Sequence, residues 1–67
     1  MLTKTWSTSL NGRKVTFMPT GNVVSYCGNR CQEFDVRTDY GSHSSYSPTL
    51  FAPVRASRAE VEAQHRG

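Results

Sequence analysis

The fold is decided by residues 4–36, which read KTWSTSLNGRKVTFMPTGNVVSYCGNRCQEFDV. The dipeptide Asn11-Gly12 is the strongest local signal, because both central positions of a type I′ hairpin turn require φ > 0, which Asn and Gly tolerate best. A two-residue turn there pairs Trp6 with Phe17 across the hairpin. Apolar side chains then share one face and serine, threonine and lysine the other, which is the alternation of a half-buried strand pair.

Two further turns are predicted downstream. Residues 19–22 (PTGN) predict a turn with a two-residue loop, and residues 28–30 (GNR) predict a three-residue loop that sets Cys27 opposite Cys31. All three turns then agree on one hydrophobic face, and this consistency favours a four-strand antiparallel meander with an aromatic inner face. The predicted inner face comprises Trp6, Val15, Phe17, Val24, Tyr26, Phe34 and Val36.

The remaining chain predicts a mainly β (α+β) protein that ends in one short helix. A length of 67 residues predicts a single small domain. It divides into a β-meander (1–38), a Tyr/Ser-rich loop followed by an extended segment (39–56), and a helix (57–66). The proline-bracketed part of the middle segment is expected to cross the inner face with Leu50, Phe51 and Val54. Ser57 and Glu60 form a capping box at the start of the helix, which is too short to be stable alone.

Composition points to a chain that needs help to fold. Its hydrophobic content of 36% is low, and a domain of this size is marginal without a disulfide, a metal, oligomerisation or a partner. The net charge is +3, and residues 1–32 contain four cations and no acidic residue. This basic half lacks the clustered Lys/Arg run of a dedicated nucleic-acid binder.

Candidate partner-binding residues lie in the turns and in the loop. Arg13 and Lys14 occupy the first turn and Arg30 the third, and in an up-and-down meander these turns share one end of the sheet. The three cations are therefore expected to cluster, which suits an acidic partner or phosphates. The rings of the loop either face a partner or base, or cover the open end of the core. The predicted partner-binding residues are Arg13, Lys14, Arg30, Tyr40, His43 and Tyr46.

Cys27 and Cys31 are weak candidates for a metal site. Their C-x₃-C spacing needs two further ligands, for which only His43 and His65 are available. In a reducing compartment both are expected to be thiols, and facing side chains would allow a strained disulfide on oxidation. No cofactor or metal is predicted, and no enzyme motif such as a Gly-rich phosphate loop, H-E-x-x-H or G-x-S-x-G is present.

These observations favour a small, non-enzymatic interaction protein. We expect it to occupy a surface of a larger protein or nucleoprotein machine, as small inhibitors from phages and mobile elements do. One alternative is a basic nucleic-acid-binding module that contacts phosphates through its hairpin tips, and a weaker one is a zinc-stabilised module. An under-protected first strand also permits a homodimer or a partner strand at that edge. No apolar run reaches the length of a membrane span or signal peptide, so a cytoplasmic location is expected.

Overall fold

The computed structural model describes residues 1–66, which form a five-stranded antiparallel sheet and one helix. The elements are β1 Trp6–Leu10, β2 Arg13–Tyr26, β3 Asn29–Asp39, β4 Ser44–Tyr46, β5 Leu50–Pro53 and α1 Arg58–Arg66. β3 is the central strand, since it pairs with β2 along one edge and with β4 and β5 along the other. The prediction of a mainly β, antiparallel fold with a short C-terminal helix is confirmed.

The first hairpin has the predicted register. Trp6 pairs with Phe17, and the turn residues Asn11 and Gly12 have φ values of 53° and 76°. The two aromatic rings stack with centroids 5.0 Å apart and an interplanar angle of 15°. Such a pair contributes about 0.5–1 kcal/mol beyond the area it buries.

The turn predicted at residues 19–22 is wrong, because β2 runs straight through it. Residues 20–22 instead form a bulge in which three residues of β2 oppose Glu33 alone. The hydroxyl of Thr20 donates to Glu33 Oε1 at 2.7 Å, and the side-chain amide of Asn22 donates to the same oxygen at 3.0 Å. The polar residues that indicated a turn therefore stabilise a β-bulge.

The bulge decides which side chains face the core. It adds two residues to β2 without reversing the chain, and an even insertion preserves the alternation of faces. Val24 and Tyr26 consequently lie on the outer face, 39% and 70% exposed, so their predicted burial is wrong. The rest of the predicted inner face is buried as expected, namely Trp6, Val15, Phe17, Phe34 and Val36.

The β2–β3 hairpin closes through Cys27-Gly28, not through the predicted three-residue loop. Tyr26 pairs with Asn29, and Cys27 and Gly28 have φ values of 50° and 78°. These values repeat those of the Asn11-Gly12 turn within a few degrees. The second hairpin is therefore also a two-residue turn, with cysteine at a position that asparagine tolerates better.

We expect Cys27→Asn to stabilise the protein. Asparagine adopts the left-handed conformation with less strain than cysteine, so the free energy of unfolding should rise by about 0.5–1 kcal/mol. Urea unfolding followed by fluorescence measures the change. Cys27→Ser is the control, because it removes the thiol without introducing asparagine's preference. An equal gain in Cys27→Ser would attribute the effect to the thiol and contradict the turn assignment.

The chain before β1 does not continue the strand. The predicted β-meander starts at residue 1, whereas pairing with β2 begins at Trp6. The N–H of Leu2 donates to Gln32 Oε1 at 3.0 Å, and Gln32 Nε2 donates to the Leu2 carbonyl at 2.7 Å. Gln32 is only 1% exposed, so its amide serves as a peptide-like partner for Leu2 and is itself satisfied.

Residues 39–56, predicted as a loop and an extended segment, contain the two short strands β4 and β5. β5 extends the sheet beside β3 and does not cross its inner face. Phe51 is therefore 40% exposed, contrary to the prediction, while Leu50 packs partly against the core. Ala52, two residues after Leu50 and on the same face of β5, is buried.

The helix α1 starts at the predicted capping box. The N–H of Glu60 donates to Ser57 Oγ at 3.3 Å, and the N–H of Ser57 donates to Glu60 Oε1 at 3.1 Å. Ala56 and Val61 are both buried in the core cluster. These contacts fix the N-terminus of α1 against the sheet.

Three contacts hold α1 over the aromatic inner face. Trp6 Nε1 donates to Glu62 Oε2 at 2.9 Å, and the guanidinium of Arg58 lies 5.5 Å from the centre of the Trp6 ring. His65 meets Phe17 edge to face at 5.6 Å. The helix thus forms the second layer that a half-buried sheet requires.

Candidate functional site

The three predicted cations do not share one end of the sheet. β2 is a single strand of 14 residues, so the turns at its two ends are separated by most of the 40 Å length of the molecule. Arg13 lies at one end, next to Lys14, and Arg30 lies at the other. The expectation of one cluster of three is wrong because the second predicted turn does not exist.

Three of the predicted residues do meet at the first-hairpin end. The guanidinium carbon of Arg13 lies 4.5 Å from the centre of the Tyr40 ring. Tyr40 stacks on His43 with ring centres 5.1 Å apart and an interplanar angle of 15°. A tight backbone turn holds the rings together, because the N–H of Tyr40 donates to the His43 carbonyl at 2.8 Å. The β3–β4 connection is therefore an ordered aromatic turn.

Lys14 and Tyr46 lie apart from this stack. Lys14 pairs with Asp39 across β2 and β3, and Tyr46 pairs with Arg37 across β4 and β3. Arg37 also forms a salt bridge to Asp39 at 3.6 Å. Neighbouring residues in a strand point to opposite faces, so Lys14 lies on the opposite face from Arg13. Tyr46 is 66% exposed. Both remain accessible, but not as part of one site with Arg13.

A groove opens on the inner face between the aromatic turn and the last residues of α1. Its volume is about 290 Å³. We call it the basic groove, and it is lined by Leu10, Asn11, Arg13, Val15, Thr38, Tyr40, His65 and Arg66. His65 and Arg66 were not predicted as site residues. The sequence shows these basic residues in the last helical turn, but it does not show the direction in which the helix docks.

A second concave surface lies on the outer face toward the other end of the sheet. Its centre is a row across three strands, in which Cys31 pairs with Val24 on β2 and with Pro53 on β5. Tyr26 and Phe51 flank the row, and the groove around it has a volume of about 540 Å³. We call these five residues the outer patch. Sequence reasoning missed it because Val24 and Tyr26 were assigned to the core.

The cysteines do not form the predicted opposed pair. Cys27 is exposed in the turn, whereas Cys31 is partly buried within the outer patch, and both are free thiols. Within residues 1–66, no group of three or more His, Cys, Asp or Glu side chains is placed to hold a metal ion.

Comparison of the chain with protein-family models, with curated proteins and with solved structures finds no match. In the described residues, no helix has the length and apolar character needed to cross a membrane.

Proposed function

We propose that this protein is a small, non-enzymatic interaction module that binds a larger protein or nucleoprotein machine through the outer patch. The supporting observation is the exposure of Tyr26 (70%), Phe51 (40%) and Val24 (39%) around one groove. Large apolar side chains scattered singly are ordinary on a surface, but a contiguous concave group of them is typical of an interaction site. Blocking the surface to which it binds is the activity that we assign to the module.

The neighbouring edge of β2 supports a particular mode of binding. β1 pairs only with residues 13–17, so residues 23–26 of β2 have no partner strand on that edge within residues 1–66. A segment of the partner that pairs there as an added strand would lay its side chains against Val24 and Tyr26. This differs from the docking edge expected on the first strand.

The other free edges are less suitable. On the outer face, the edge strand β1 presents only exposed serines, Ser7 and Ser9, which offer no apolar contact. At β5, the backbone carbonyl of Phe51 accepts a hydrogen bond from the side-chain amide of Gln64 on α1. That bond occupies a backbone group that an added strand would use, and Pro53 supplies no donor. The edge of β2 is therefore the one that combines unpaired backbone with exposed apolar side chains.

Capture of the tagged protein's partners from its host lysate, with and without nuclease, tests the proposal, and mass spectrometry identifies the captured proteins. We expect Tyr26→Ser to weaken the complex at least about 30-fold, the typical effect of removing a central aromatic anchor. Tyr46→Ser is a matched control, because it removes an equally exposed tyrosine of the same face outside the patch. Circular dichroism verifies that both variants fold. Equal capture by the two variants, or capture that disappears with nuclease, would contradict the proposal.

A further inference from the structure

We propose that the basic groove binds a phosphate-bearing nucleotide unit of a single-stranded nucleic acid. The site is separate from the outer patch and independent of the protein-binding function. The first argument is the chemistry of its lining, since each polar residue offers a hydrogen-bond donor and none is a carboxylate. These residues are Asn11, Arg13, Thr38, Tyr40, His65 and Arg66. A phosphate, which accepts several hydrogen bonds and carries negative charge, complements this set.

No carboxylate among residues 1–66 neutralises the two guanidinium groups of the groove. Within residues 1–66, the one salt bridge joins Arg37 to Asp39, so neither Arg13 nor Arg66 has a carboxylate of the described chain within 4.0 Å. Arg13 is held instead by stacking on Tyr40. Stacking fixes the plane of a guanidinium and leaves its N–H groups free to donate at the edges. Arg13 is thus positioned for an anion before one binds.

The shape of the groove favours one nucleotide of a single strand. About 290 Å³ is close to the lower limit of small-ligand sites and too small to admit a duplex. Leu10 and Val15 provide an apolar floor. The exposed guanidinium of Arg13, which lies on the Tyr40 ring, provides a plane on which a base can stack. Sequence-independent single-strand binding combines positive charge along the backbone with planar groups on which bases stack, and Arg13 supplies both here.

Fluorescence anisotropy with a labelled oligothymidylate of about ten nucleotides tests the proposal, a length within the usual range of single-strand sites. We expect binding at low salt, with an affinity that falls as salt rises. Arg13→Gln and Arg66→Gln should each weaken binding about 10-fold and reduce the magnitude of the salt slope by about 0.7, as expected when one phosphate contact is lost. Tyr40→Leu should also weaken binding about 10-fold but leave the slope unchanged, because it removes the ring that orients Arg13 and removes no charge.

The matched controls are Arg30→Gln and Arg55→Gln. Both residues line a third groove at the opposite end of the molecule, and each variant removes the same charge. We expect them to bind the oligonucleotide as the unaltered protein does. Equal losses of affinity in all four arginine variants would mean that binding depends only on net charge, and would overturn the site. Equally tight binding of a duplex, or displacement by a polyglutamate peptide at equal charge, would overturn the assignment to a single strand. None of these results affects the Tyr26→Ser capture experiment, which reads the other surface.

Discussion

Phe17→Ala is expected to leave little folded protein at 25 °C. The side chain is fully buried, stacks on Trp6 and receives the edge of His65. Truncating such a phenylalanine costs about 3–5 kcal/mol, because apolar burial is lost and a cavity remains. A domain of this length has a total stability of roughly 3–10 kcal/mol. One substitution therefore removes most of what holds the fold.

Urea unfolding followed by the fluorescence of Trp6 measures this loss, since the reporter lies directly against the substituted ring. Tyr26→Ala is the control. It deletes a ring of similar size from a side chain that is 70% exposed, and should cost less than about 0.5 kcal/mol. The pair also distinguishes the two registers, because a turn at residues 19–22 would have buried Tyr26. Comparable losses in both variants would contradict the continuous β2 strand.

The two hairpin turns show what local sequence can and cannot predict. Both turns have the same backbone geometry. The sequence predicts this geometry at Asn11-Gly12 but not at Cys27-Gly28. Cysteine has no preference for the left-handed conformation. The residues most typical of a turn are therefore Gly28 and Asn29, one position after the actual turn. The first turn could be predicted because its residues suffice to form it. The second depends on the pairing of the long strands on either side.

The bulge is harder to predict, because residues 19–22 have the composition of a turn but lie inside a continuous strand. The choice between turn and bulge is made by Glu33, whose carboxylate accepts from both Thr20 and Asn22. That acceptor lies on another strand, more than ten residues away. The local sequence around residues 19–22 contains no sign of this acceptor. Alternation could not correct the error, because either choice gave a plausible hydrophobic face.

The same bulge explains how the two candidate surfaces arose. With β2 continuous, its start lies opposite the end of β3, which brings Arg13 to Tyr40 and forms the basic groove. Its end carries Val24 and Tyr26 onto the outer face, which forms the outer patch. Single predicted residues, such as Arg13 and Tyr40, were found from their chemistry. Their grouping followed from one strand pairing that the local patterns did not determine.

Val61→Asp, on the helix side of the core, is expected to lower the free energy of unfolding about as much as Phe17→Ala does. Val61 is fully buried and is the only buried residue of α1. An aspartate there would place an unpaired charge among apolar side chains, at a cost of about 3–5 kcal/mol. Ala63→Asp is the matched control, because it adds the same charge to an exposed position of the same helix. It should change the free energy of unfolding by less than about 0.5 kcal/mol.

The unfolding of Val61→Asp also tests whether the sheet can stand without its helix. α1 has nine residues, too few to be stable alone, so it persists only while docked. The sheet in turn relies on α1 to cover Trp6 and Phe17, because a single layer cannot bury its apolar face. Each layer therefore requires the other, and we expect amide exchange in α1 and Trp6 fluorescence to report one coincident transition. Deletion of residues 56–67 should likewise unfold the sheet. A variant that loses its helix yet keeps a native Trp6 signal would contradict this mutual dependence and leave the inner face available to a partner.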